Sequence, residues 1–123
     1  MLISATVICL LGITFLSVVE ATRHSFGGSD KVAHAAAYGL LAFLFYWSLG
    51  TKFSWWGRAL LVLGLCVGYG VLMELIQAQV GRDRDVADAL ANTVGAVLGT
   101  AAAAVMQTVP GLHPPHRGRS SGR

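Results

Sequence analysis

Long apolar runs, broken at short intervals by polar clusters, organise this chain. Residues 2–19 carry no charge. Residues 32–49 carry none beyond whatever His34 holds, 59–80 only Glu74, and 86–106 only Asp88. A helix needs roughly 20 mostly apolar residues to cross the hydrocarbon of a bilayer. Four such runs predict four transmembrane segments. They are expected to be helical, because a backbone in lipid must satisfy its own hydrogen bonds. The predicted fold class is all-α, a compact four-helix transmembrane bundle over residues 1–106, followed by a disordered basic tail over 107–123. A soluble bundle would need a polar outer face on each helix, and residues 2–19 and 59–73 offer none. The first run is longer than a usual signal-peptide core and lacks a basic start, so it is read as a retained span, with Val19-Glu20-Ala21 the alternative as a cleavage site.

The polar residues fall into stripes. Asp30, Lys31, His34 and Tyr38 share one face of the second segment. Gly70, Glu74, Gln77 and Gly81 share a face of the third, and Asp85, Asp88, Asn92, Gly95 and Gly99 a face of the fourth. In an up-and-down bundle all three stripes lie at the same end. Glu74 and Asn92 sit six residues inside their helix ends, about 9 Å deep at 1.5 Å per residue. An acid at that depth costs roughly 2.5–3.5 kcal/mol or more if it faces lipid. The expectation is therefore an inward-facing cluster of His34, Glu74, Gln77, Asp88 and Asn92, rimmed by Lys31, Arg82 and Arg84. Gly64/Gly68 and Gly95/Gly99 form two GxxxG pairs expected to bring helix backbones close.

Composition sharpens this picture. Of 123 residues, 54% are hydrophobic and 12% charged, about half the charge of a soluble domain. One turn (51–58) and the tail hold Lys52, Arg58, Arg117, Arg119 and Arg123 with no acid. The opposite side holds Arg23, Lys31, Arg82 and Arg84 among four acids. The positive-inside rule counts Lys and Arg, so both termini are expected in the cytoplasm and the polar cluster at the extracytoplasmic face. Trp47, Trp55 and Trp56 cluster with Tyr46 at one interface as an aromatic belt. Cys9 and Cys66 read as small packing residues, and His113 and His116 as part of the tail.

Other roles are available for some of these residues. Asp30 and Asp85 suit helix starts as caps, and Gly81 suits a helix end. Arg82 and Arg84 suit a solvated turn, and Tyr38 a packing role. Glu74 is mid-helix and caps nothing. It serves either as interhelical glue or as a titratable group tuned by burial.

DKVAH at 30–34 with Tyr38, ELIQ at 74–77 and GRDRDVADALANTVGAVLG at 81–99 together resemble the VanZ-like family of small bacterial membrane proteins. The resemblance covers about 28–106. The matching positions are Asp30, Lys31, His34, Glu74, Gln77, Arg82 or Arg84, Asp85, Asp88, Asn92 and Gly95. The segment between Gln77 and Asp85 is short, which leaves the choice between Arg82 and Arg84 open. The resemblance implies a multi-pass protein of the bacterial inner membrane and, through the family's named member, an association with teicoplanin resistance. It implies no known reaction.

Chemically, the expected site has His34, Glu74 and Asp88 as catalytic candidates. Lys31, Tyr38, Gln77, Arg82, Arg84 and Asn92 would bind a lipid-linked or cell-wall precursor. No cofactor is expected. A variant in which His34, Glu74 and Asp88 hold a divalent ion is less favoured, because no HExxH or cysteine cluster accompanies them. The alternatives are a non-catalytic assembly module held by the cluster and a small transporter. The bilayer is the expected partner, with no nucleic acid, since the basic residues are dispersed.

Overall fold

The computed structural model describes residues 1–21, 28–79, 81 and 86–112, with the backbone alone at 20, 21 and 28–30. Four helices follow in order: α1 (Leu2–Ala21), α2 (Gly28–Ser48), α3 (Trp55–Gln79) and α4 (Val86–Met106). The fold is all-α. The fourth apolar run and α4 coincide. α3 begins four residues earlier than its apolar run, because Ser54 caps it. The Gly57 amide donates to Ser54 Oγ at 3.2 Å and the Arg58 amide to the Ser54 carbonyl at 2.9 Å. Arg58, expected in a turn, therefore lies in the first turn of α3, where it is buried. α2 likewise starts at Gly28, so Asp30 is inside its first turn rather than at the cap.

Three helices are long and apolar enough to cross a membrane: α1 over Leu2–Val19, α3 over Trp55–Gln79 and α4 over Val86–Met106. The expectation of a fourth, in α2, is corrected by its composition. Lys31, His34 and Tyr38 near its start, and Tyr46, Trp47 and Ser48 at its end, dilute the apolar middle. α2 packs against all three others, most closely against α4. His34, Tyr38 and Tyr46 are buried against its neighbours, while Lys31 stays partly exposed.

The tightest contact joins α2 to α4. A Cβ on Gly95 would collide with the Ala35 backbone, and one on Gly99 with the Gly39 backbone. These two parallel helices thus approach through small residues, Ala35 and Gly39 against Gly95 and Gly99. The second GxxxG pair behaves differently. Gly64 and Gly68 are exposed, and a Cβ on either would meet nothing within 4 Å. That pair is not an interhelical contact within this chain. The core comprises Ile13, Tyr38, Leu41, Ala42, Tyr46, Val62, Cys66, Ala96 and Ala103. Most other large apolar residues, such as Ile8, Phe15, Leu60, Leu65, Leu90 and Leu98, are exposed. An outward apolar surface over a small-residue interior is the pattern lipid imposes.

α1 is attached by polar contacts as well. Thr14 Oγ1 and the Tyr69 hydroxyl form a short hydrogen bond, and Tyr69 also donates to the Leu10 carbonyl at 3.3 Å. Cys9 and Cys66 are free thiols. Gly81 closes α3 with a φ of 85°, the left-handed conformation of a helix C′ residue.

Candidate functional site

The polar stripes of α2, α3 and α4 meet at the end of the bundle where α2 and α4 begin and α3 finishes. Lys31 of α2 and Asp88 of α4 form an ion pair, Nζ to Oδ1 3.2 Å. The Asp88 side chain is 3% exposed and that of Lys31 41%. Lys31 lies about one turn from Ala35 and Asp88 about two turns from Gly95, and the close approach of the helices there brings the two side chains within reach. A carboxylate this deep demands a counter-charge, and Lys31 supplies it from the rim, its stem covering apolar surface while its head stays partly solvated.

One turn further in, Tyr38 of α2 and Asn92 of α4 converge on Gly70 of α3. A Cβ at Gly70 would lie 3.5 Å from Tyr38 Cε1, 3.7 Å from its hydroxyl and 3.6 Å from Asn92 Nδ2. Tyr38 is 1% exposed. Among the described residues, the Tyr38 hydroxyl and Asn92 Oδ1 are buried without a hydrogen-bond partner. Buried polar atoms are nearly always satisfied, so two unpartnered atoms beside a side-chain-free position mark this junction. Glu74 lies one turn along α3 from Gly70, on the same helix face.

His34 is buried and lines a small cleft between α1 and α2, together with Ile13, Leu16, Ser17, Ala33, Ala37 and Tyr38. The cleft measures about 60 Å³. That is room for water but well below the volume of a typical ligand pocket. Gln77 is turned toward the same helix: its amide donates to the Ser17 carbonyl at 3.2 Å. Gln77 thereby ties α3 to α1.

Of the residues expected at the site, Lys31, His34, Tyr38, Glu74, Gln77, Asp88 and Asn92 occupy this one end, in two groups. Lys31 and Asp88 form the rim pair. Tyr38, Asn92 and Glu74 gather around Gly70, with His34 one turn from Tyr38 on α2. Arg82, Arg84 and Asp85 lie outside the described residues, as does the tail beyond Leu112. Among the described residues no three His, Cys, Asp or Glu side chains converge as a metal site, which corrects the variant built on His34, Glu74 and Asp88. Two contributors were not anticipated. Ser17 acts through its backbone carbonyl, which no side-chain pattern discloses. Gly70 acts by leaving space, although its place on the Glu74 stripe was visible.

This fold and this clustered end define a small helical membrane protein with a polar site built between three of its helices. The family model described as VanZ/LLP1 matches residues 10–107. That is most of the chain, and the protein belongs to this family. The match begins within α1, earlier than the motifs alone suggest. No curated protein and no solved structure matches the chain.

Proposed function

We propose that this VanZ/LLP1 protein is a multi-pass protein of the bacterial inner membrane that binds, and acts on, the head group of a lipid-linked or cell-wall precursor. In this reading the polar end opens to the extracytoplasmic side. Lys31 meets the anionic part of the head group, assisted by Arg82 and Arg84. The Tyr38 hydroxyl and Asn92 Oδ1 take its polar groups. Glu74 and His34 are the groups able to move a proton, and Asp88 holds Lys31 in place. A contribution to teicoplanin resistance follows if the precursor is one on which that antibiotic depends.

The observation that carries this reading is the pair of unpartnered buried atoms around Gly70. Interhelical glue satisfies its own polar groups, because an unsatisfied one in a low-dielectric interior is costly. Atoms left open, near an acid and behind a half-exposed cation, are what a ligand requires. The test compares lipid-linked precursors and muropeptides by mass in strains carrying wild type, Lys31→Gln and His34→Ala. Accumulation or loss of one precursor class in both variants, at normal protein levels in the membrane, is the expected result. Unchanged profiles would refute it.

A second reading has its own observation. Gln77 is engaged with the Ser17 carbonyl, and Asp88 with Lys31, so part of the cluster does serve assembly. If the whole cluster did, the protein would be a binding or assembly module whose partner contacts the rim. Substitutions at Lys31 would then weaken partner capture and leave precursor profiles unchanged.

A further inference from the structure

The opposite end of the bundle holds a second polar group. Arg58, in the first turn of α3, is 6% exposed. Its Nη2 donates to Gln107 Oε1 at 2.7 Å, and Gln107 Nε2 donates to the Tyr46 hydroxyl at 2.9 Å. The guanidinium carbon lies 4.6 Å from the centroid of the Tyr46 ring, a cation–π contact. Arg58 Nε and Nη1 are buried with no hydrogen-bond partner among the described residues, and Trp47 Nε1 is in the same condition.

The charge is as incompletely answered as the hydrogen bonds. The six acidic side chains of the chain are Glu20, Asp30, Glu74, Asp83, Asp85 and Asp88. Of the acids whose side chains are described, Glu74 and Asp88 lie at the other end of α3 and α4. Glu74 is the nearest along α3, about 24 Å away at 1.5 Å per residue. Within the described residues Arg58 has a neutral amide and an aromatic face, and no carboxylate. A buried cation normally has an anionic partner. This one sits beside the exposed Trp55 and Trp56, the residues that mark head-group depth.

We propose that Arg58, with Tyr46, Gln107 and Trp47, forms a binding site for the phosphate of an anionic phospholipid head group. The phosphate displaces the Gln107 side chain from the guanidinium and takes over its N–H donors, which suit phosphate geometry. Gln107 can yield because it follows the last residue of α4, in a stretch continued by exposed turns to Leu112. This site is independent of the polar end and of any reaction there.

The experiment is thermal unfolding of the full chain in uncharged maltoside micelles, with phosphatidylglycerol, phosphatidylcholine or inorganic phosphate added separately. Wild type should gain roughly 5 °C with phosphatidylglycerol and much less with phosphatidylcholine. Arg58→Gln should lose that gain. Lys52→Gln, at an exposed position of the turn that precedes α3, should keep it. Gln107→Ala removes the one acceptor that Arg58 has among the described residues, so it should be less stable alone and gain more from the lipid than wild type does. This last arm decides the matter even if Arg58→Gln fails to fold. An equal gain from inorganic phosphate would support the site and make its source soluble phosphate. No gain in wild type, an equal gain in Arg58→Gln, loss of the gain in Lys52→Gln, or no larger gain in Gln107→Ala would each overturn the proposal.

Discussion

Lys31 and Asp88, 57 positions apart in sequence, hold each other at 3.2 Å across the α2–α4 junction, the acid almost fully buried and the base half in solvent. This asymmetry means the two residues do not carry equal weight. Removing the base takes a cation from a deeply buried acid; removing the acid takes a partner from a cation that already reaches water.

Lys31→Met is therefore expected to be more destabilising than Asp88→Asn. Breaking a fully buried pair costs about 3–5 kcal/mol, and an exposed pair contributes roughly 0–1 kcal/mol; with one member partly solvated, this pair falls between the two. The double variant should recover part of the loss. Unfolding of the two singles and the double in detergent measures the coupling, and additive losses would show that the pair is not coupled.

The two GxxxG pairs are expected to respond oppositely to alanine. Gly95→Ala and Gly99→Ala place a methyl against the α2 backbone, which cannot yield without separating the helices. Each should lose at least about 2 kcal/mol or the fold itself. Gly64→Ala and Gly68→Ala meet open space and should be neutral, or more stable by up to about 1 kcal/mol through helix propensity. Parallel thermal unfolding of the four variants decides it. Equal sensitivity at both pairs would contradict the packing.

These two pairs also mark how far the residues could be read alone. Spacing put Gly64 and Gly68 on the same footing as Gly95 and Gly99. Only the second pair continued a polar stripe, and that continuity with Asp88 and Asn92 is what correctly implied a protein-facing surface. The ends of α4 were legible because an apolar run of helix length stands between polar residues. The start of α3 was not, because Arg58, a charged residue at the edge of the apolar run, reads as solvent-facing and so as the limit of the span. The Ser54 cap, a residue of the right type in the right place, was the signal to weigh against it. That polar residues of three segments face one another follows from the sequence, since a buried acid in lipid must find polar or cationic partners. The division of the polar end into a rim pair and a Gly70 junction depends on which helices touch, and periodicity along a single helix does not contain that.

The Gly70 junction sets an expectation of its own. A methyl at Gly70 would make only ordinary contacts with Tyr38 and Asn92, so Gly70→Ala should fold as wild type does. Gly70→Leu fills the space in front of both and should displace Tyr38. If the junction receives a ligand, Gly70→Leu should reproduce the envelope phenotype of His34→Ala while still inserting in the membrane. Wild-type envelope profiles in a strain carrying folded Gly70→Leu would show that the space has no role.

Gln77→Ala removes the α3–α1 tie to the Ser17 carbonyl. Interhelical hydrogen bonds in membranes contribute about 0.6 kcal/mol on average and up to about 1.7 kcal/mol, so the loss should fall in that range. The buried carbonyl left behind should loosen α1 in particular. Faster hydrogen exchange confined to α1 would register this, and a loss spread evenly over all four helices would argue against it.

The most direct measurement is made on Glu74→Gln, a change of nearly constant shape that removes the charge and the titratable proton. Membrane insertion and unfolding temperature are read beside lipid-precursor and muropeptide masses and teicoplanin sensitivity, in the same strain. A working site requires normal insertion, an unfolding temperature close to wild type and a changed envelope profile or altered sensitivity. A variant that misfolds, or that folds and leaves every profile at its wild-type value, would contradict it and leave the cluster as the glue of the bundle.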